Sequence, residues 1–368
     1  MKGGRIVPFV LEPYRAPDFN KPRFMTAPDA RILPAPADGA APANYHAMSI
    51  FPEYFRVGGR WLLAEESRMD CVPVLENGGV QIREFRNLKK GDAVICGRTE
   101  NGEEGIFVHT RGFAAPEKHD ETFAFRQGHS RETSFSRDYD ELYELLRYER
   151  DHGNILWVAG PAVVFDHNAR SAFSRLIAGG YAHGLLAGNA LAAHDLEGAW
   201  LGTALGQDIY SRAHHKNGHY NHLDTINRVR ECGSVERFIE EEHIADGVIR
   251  SCVANGVPYV LAGSIRDDGP LPEVYADVYA AQDAMRSIVK KATTVICMAT
   301  MLHTIAVGNM TPSFRVLPDG TVRKVFFFCV DISEFMVNKL TDRGSLSSRG
   351  IVTNVQDFVM NLANGLGV

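Results

Sequence analysis

The 368-residue sequence predicts an α/β protein: a parallel sheet with helices on both faces, preceded by a small β-rich domain. Three observations carry this. From residue 154 onward, short apolar runs alternate with helical patterns, the rhythm of a parallel sheet with helical crossovers. Over residues 46–115, short apolar segments are separated by glycine-containing turn pairs, the rhythm of antiparallel hairpins. With 45% hydrophobic and 23% charged residues, the composition is that of a globular chain, long enough for two domains.

Residues 1–45 are rich in Pro and Ala, as in "LPAPADGAAPAN", and read as an extended arm that buries little of itself and packs on another subunit. The β-rich domain follows with FRVGGRWLL, CVPVLE, VQIREF, DAVICG and EGIFVH. Gly58-Gly59, Asn77-Gly78, Lys90-Gly91-Asp92 and Asn101-Gly102 separate these segments. Asn77-Gly78 and Asn101-Gly102 are the strongest hairpin signals, since both residues accept the positive φ of a type I′ turn. Residues 116–153 form a linker and a helix. The helix is expected to start near Asp138, which has capping-box spacing to Glu141, and to end at His152-Gly153. Tyr139, Leu142, Tyr143, Leu145 and Leu146 supply its apolar stripe.

Residues 154–368 form the sheet domain. Its strand runs are ILWVAGPAVVF, HGLLAG, VPYVLAGS, TVICMAT, VFFFCVDI and GIVTNV. ARSAFSRLIAGG, SVERFIEEEHIADGVIRSCVANG, VYADVYAAQDAMRSIVKKA and SEFMVNKLTDRG are the helical patterns between them.

The formal net charge of -6 argues against a nucleic-acid surface. No run reaches the ~18 apolar residues of a membrane span, and the first residues lack the apolar core of a signal peptide. The six cysteines, at 71, 96, 232, 252, 297 and 329, form no CxxC pair and no zinc spacing. A cytoplasmic protein with free thiols is expected.

Function is expected where parallel strands end. Four strand exits carry small or polar residues: Ala187-Gly188-Asn189-Ala190, Gly263-Ser264-Ile265-Arg266-Asp267-Asp268-Gly269, Ala299-Thr300-Met301-Leu302-His303, and Asp331-Ile332-Ser333. Together they describe a cleft rather than four solvated turns. Asp331 is either a ribose ligand or a helix cap, with Ser333 better placed as the cap. The first strand lacks the GxGxxG fingerprint. Dinucleotide phosphates would therefore meet the helix-leading backbone at Asn189 and Ala190, or at Thr300 to His303. His214, His215, His219 and His222 cluster in "HHKNGHYNHLDTIN" without a metal-binding spacing, which leaves a polar substrate wall or a solvated loop, and no metal is expected. Cys71 reads as a buried structural thiol rather than a nucleophile.

"AGNALAAHDLE", "HYNHLDTIN", "LAGSIRDDGPLP", "TMLHTIAVGNMTP", "CVDI", "KLTDRG" and "GIVT" resemble the LOR/SDH-type family, from about Phe51 to the C-terminus. That family includes archaeal-type ornithine cyclodeaminases and the proline-forming C-terminal part of cyanobacterial arginine dihydrolases. The resemblance implies a Rossmann-like, deoxyhypusine-synthase-like fold in a homo-oligomer. It implies bound NAD, and conversion of L-ornithine to L-proline and ammonia by oxidation, cyclisation and re-reduction. It implies cofactor contacts from Asn189, Ala190, Asp267, Thr300, Met301, Leu302, His303, Asn309 and Asp331. The chemistry then suggests Arg266 as a carboxylate clamp, Asp267 or Asp268 as the amine partner, and His303 as acid or base. The alternatives are an NAD-dependent relative acting on another diamino acid, and a catalytically silent NAD-binding regulator. Two departures stand out: Ser333 where members often read CVDIN, and a Pro/Ala-rich arm where members carry a longer N-terminal domain.

Overall fold

The computed structural model describes residues 9–113, 135–267, 269–333 and 345–368. The N-terminal unit is antiparallel. Its strands are β1 Arg31–Pro34, β2 Glu53–Val57, β3 Arg60–Leu63, β4 Cys71–Glu76, β5 Gly79–Glu84, β6 Ala93–Cys96 and β7 Ile106–Val108. They form two small sheets, β1-β6-β4-β5 and β3-β2-β7. Asn77 and Gly78 join β4 to β5 with φ of 51° and 78°, as a type I′ turn requires. Asn101-Gly102 does not close a hairpin between long strands, because β6 pairs with β1 and β4 while β7 pairs with β2. The pair instead shapes a local turn, in which the Gly102 amide donates to the Ile106 carbonyl at 2.8 Å.

The arm expected over residues 1–45 is, from Tyr14 onward, packed into this unit. β1 pairs in register with β6, Ile32 facing Ile95. The short helix α1, Pro22–Met25, buries Phe24 to 1% exposure. Average composition hid this: among the prolines, Phe24 is buried and Ile32 packs on the β-rich core, and Pro34 closes its strand, where no ladder donor is needed.

The helix α2 runs Phe135–His152. It begins before Asp138, so that residue lies within the first turn and is not its cap. Gly153 follows because a Cβ there would lie 2.0 Å from the Glu149 carboxylate.

The remaining chain forms one six-stranded, all-parallel sheet from β8 Ile155–Ala159, β9 Gly184–Gly188, β12 Tyr259–Ala262, β13 Thr294–Met298, β16 Phe326–Asp331 and β17 Ser348–Val352. Two short hairpins lie between them: β10 Thr203–Ala204 with β11 Gln207–Asp208, and β14 Phe314–Val316 with β15 Val322–Lys324. The sheet order β12-β9-β8-β13-β16-β17 is, renumbered along the chain, the 3-2-1-4-5-6 order of the doubly wound dinucleotide fold. Every residue of β8 and β13 is buried, which is why these strands read as unbroken apolar runs.

The helices are α3 His167–Ala178, α4 Asn189–Leu201, α5 Asn221–Cys232, α6 Val235–Glu241, α7 Val248–Ala254, α8 Val278–Val289, α9 Met301–Met310 and α10 Val355–Leu366. One face of the sheet, with α2 to α7 and α10, holds the larger core around Trp157, Phe173 and Phe358. The other face, with α8 and α9, holds a smaller core around Val158, Leu186, Met285 and Val307. The run SVERFIEEEHIADGVIRSCVANG is two helices, α6 and α7. Asp195 accepts the Val248 and Ile249 amides at 3.0 and 2.8 Å, so α7 needs a fresh start. Gly247, at φ 122°, makes the turn. The pattern SEFMVNKLTDRG lies, beyond Ser333, outside the described residues.

Polar contacts fasten the two units together. Arg286 pairs with Glu66, Arg86 with Asp283 at 2.7 Å, and the Arg68 Nε donates to the Asn309 carbonyl at 3.0 Å.

Candidate active site

The chain leaves β8 toward one side of the sheet and β13 toward the other, so their carboxyl ends open a crevice. Gly160 and Ala299 sit there. The Gly160 amide donates to the Met298 carbonyl at 2.8 Å, and a Cβ on Gly160 would lie 2.0 Å from the Ala299 oxygen. Ala299 itself has φ 48°, a left-handed conformation that costs a non-glycine residue about 1–3 kcal/mol and is kept where a site demands it. Gly160 stands outside the four strand exits read from the sequence, whereas Ala299 opens one of them, its left-handed backbone unmarked by its residue type.

Two helices start at this edge. α4 begins at Asn189, directly after β9, with Gly188 as its N-cap. α9 begins at Met301 after Thr300. Gly188 has no side chain to cap α4 and the Thr300 hydroxyl does not cap α9, so the first amides, including Ala190 and Leu302, remain for an anion. Met301 and Leu302 are 51% and 72% exposed, so their contribution here is main chain and an apolar rim.

The loop after β12 closes on the same point. The Asp267 carboxylate accepts the Ser264 amide at 2.8 Å, and the Asp267 amide returns a bond to the Ser264 carbonyl at 3.0 Å. The side-chain oxygen of Asn189 accepts the Leu271 amide at 3.0 Å, tying this loop to the start of α4. His303 packs on Gly188, where a Cβ would lie 3.0 Å from the imidazole Cε1. Burial pushes the His303 imidazole below its ordinary value, and the nearby Asp267 charge opposes that shift. His303, Gly188, Asn189 and Asp267 therefore form one group. Arg266 is exposed beside them. Asp268 lies outside the described residues.

Asp331 ends β16, two strands from β8, and its Oδ1 accepts the Ser333 amide at 2.9 Å. Ser333 thus donates to Asp331. Asn309 does not join the group. It occupies the last turn of α9, about 9 Å along the helix from His303 at 1.5 Å per residue. Its carbonyl belongs to the contact with Arg68.

His214, His215 and His219 are exposed, whereas His222 is half-buried with its ring 5.9 Å from that of His194. Among the described residues no group of three His, Cys, Asp or Glu side chains is placed to hold a metal ion. Cys71 is buried, and burial raises its thiol above the ordinary value against the opposing charge of Arg68.

Comparison with known proteins meets this geometry at both units. Residues 141–362 match the family model described as arginine dihydrolase ArgZ-like, C-terminal, Rossmann fold, and residues 52–135 match its companion first region. A protein of Methanopyrus kandleri named ornithine cyclodeaminase is 37% identical over 349 residues, covering 92% of this chain and 78% of that one. Among solved structures, a conserved putative LOR/SDH protein from Methanococcus maripaludis aligns with TM-score 0.81 at 33% identity, over 92% of this chain and 98% of that one. A ternary complex of AgrE with ornithine and NAD+ aligns with TM-score 0.57 at 35% identity, over 93% of this chain and 46% of that one.

Proposed function

This chain belongs to the ArgZ-like C-terminal family, and from that premise we propose that it converts L-ornithine to L-proline and ammonia using bound NAD. The observation that carries the reading is the switch-point crevice. It supports a dinucleotide on three counts: Gly160 leaves space where any side chain would collide with Ala299, two helices offer uncapped amides, and an acid ends β16. The identity to proteins named ornithine cyclodeaminase, spread over 92% of the chain, supports the substrate.

Asn189, Ala190, Thr300, Met301 and Leu302 would hold the phosphates through their backbone, and Asp331 a ribose diol. When bound, NAD supplies the hydride acceptor and, later, the donor. The protein's own residues do the rest. Arg266 clamps the substrate carboxylate through its planar fork. Asp267 holds an amine by a charge-assisted bond, its position fixed by the Ser264 amide. His303, neutral near pH 7 because burial disfavours its cation, exchanges a proton at a ring nitrogen. Met301, Leu302 and Ile332 are exposed apolar side chains at the strand ends that a bound ligand would cover. Fixing the δ-amine near C2 makes ring closure intramolecular.

Ornithine deuterated at C2 tests the whole scheme. Proline carrying the deuterium at C2, with ammonia released and no net consumption of added NAD+, is the expected result. Complete washout of the label into solvent indicates proton abstraction at C2 and overturns it. Protein that releases no nicotinamide dinucleotide on denaturation, and binds none at micromolar concentration, removes the cofactor.

A further inference from the structure

A buried polar network lies beside the crevice. α4 starts at the carboxyl edge, and one and a half turns in, His194 is 8% exposed and Glu197 fully buried. The His194 Nδ1 and the Glu197 Oε2 are 2.8 Å apart. The other Glu197 oxygen accepts the Thr203 hydroxyl at 2.7 Å and the Gly206 amide at 3.3 Å. Thr203 accepts the side-chain amide of Asn221 at 2.8 Å. The loop holding Thr203 is fixed in turn by a close backbone approach: a Cβ on Gly218 would lie 2.3 Å from the Gly206 oxygen.

This arrangement selects one tautomer. The carboxylate takes the Nδ1 proton, which leaves Nε2 as the basic nitrogen. No described residue bonds Nε2. The imidazole ring faces Phe165 at 5.5 Å, on the segment that leaves Gly160, and His222 on α5 at 5.9 Å. The His222 Nδ1 is buried with no partner among the described residues. Glu197 and His222 are the titratable groups facing His194. Asp195 is turned away, toward Arg170 at 2.6 Å and the start of α7. "AHDLE" and "HYNHLD", two motifs far apart in sequence that the cleft residues above leave unused, meet here.

We propose that the Nε2 of His194 relays protons between the two substrate nitrogens during cyclisation, with Glu197 as its positioning residue. The step rests on the ornithine reading above. After oxidation the α-nitrogen is an iminium at C2 and the δ-nitrogen an ammonium. The C2–Nδ bond forms and the C2–Nα bond breaks. Two protons pass in succession from Nδ through His194 to Nα, which departs as ammonium and leaves a protonated cyclic imine. Charge and atoms balance, and the step needs no oxidant. His303, across the sheet edge on α9, remains for the oxidation.

The test uses the NAD-loaded full chain, ¹⁵N-labelled at histidine. In wild-type protein the His194 resonance, assigned by its loss in His194→Gln, is expected to show the Nδ1–H tautomer and to shift on adding ornithine. Glu197→Ala is expected to mix the tautomers, which a role confined to packing would not do. His194→Gln is expected to form NADH, read at 340 nm, on mixing with ornithine, while ammonia release falls about a hundredfold, the usual scale for a lost acid–base group. Ammonia release at the wild-type rate by His194→Gln overturns the proposal, as does a resonance that ornithine leaves unmoved. Wild-type protein that neither reduces its NAD nor releases ammonia sinks the ornithine reading and this step with it. The resonance then separates the two failures: a shift keeps His194 in the ligand site, and none removes it.

Discussion

At the scale of single residues, the chain keeps several imidazoles neutral. The His183 Nδ1 accepts the Ile155 amide at 2.9 Å at the start of β8, a bond a protonated ring cannot accept. Burial lowers His183 below its ordinary value, opposed by the Arg150 backbone and Glu149. Burial lowers His303 and His109 as well. Above about pH 6.5 these groups are neutral folded or unfolded, and the shifts cost nothing. As pH falls below that value, the unfolded chain takes up protons that the folded one refuses, so stability falls until the lowered folded values are reached. The urea midpoint is therefore expected to drop between pH 7.5 and 5.5, with a shallower drop in His303→Gln. A midpoint independent of pH over that range would contradict the burial of these rings. Of the site residues, those legible in the sequence were charged or helix-leading ones, such as Asp267, Asn189 and His303. Gly160 and Ala299 act through absent or strained geometry, which no residue type announces. His194 and Glu197 lie in the AHDLE motif, but their network depends on Thr203 and Asn221, which the fold brings together.

At the scale of elements, all six parallel strands were legible: five because burial writes a largely continuous apolar run, and the partly exposed edge strand β17 only through its Gly350-Ile351-Val352 end. Helices with a wet side were legible too, as α3 and α8 show. The sequence marks the start of α4 at Asn189 but gives its body no helical pattern. Residues 191–198 are buried on every side, so no polar stripe marks a period, and its His, Asp and Glu look like surface residues until their partners are seen. α9 is apolar along most of its length and gives no stripe either. The junction of β8 with β13 is the element-level feature that most constrains function. Gly160→Ala forces a methyl group into the Ala299 carbonyl. The strand ends must part, at about 1–3 kcal/mol for an overpacked position. NAD retention after gel filtration is expected to fall at least tenfold while the far-UV circular dichroism stays native. A variant that keeps its NAD would show that the approach of the two strand ends does not shape the crevice.

At the scale of the whole molecule, the N-terminal segment is part of a core, contrary to its composition. Phe24 packs its ring 4.8 Å from Phe107 and 5.6 Å from Trp61, and Phe19 stacks on Trp61 at 5.0 Å. Phe24→Ala is expected to cost about 3–5 kcal/mol, seen as a lower urea midpoint for the β-rich unit. An unchanged midpoint would return the segment to the status of a loose strap. The same chain buries all six of its cysteines, two in the β-rich unit and four in the sheet domain, and none is paired. Burial raises these thiols, those of Cys252 and Cys329 to about 12, so the folded protein offers an alkylating reagent almost no thiolate. Modification must then wait for a unit to open. Cys71 and Cys96 become a clock for one unit and the other four a clock for its neighbour, readable peptide by peptide in a single pulse-labelling run. A cysteine placed by design on the surface would be the chain's one fast-reacting handle, with no background to remove.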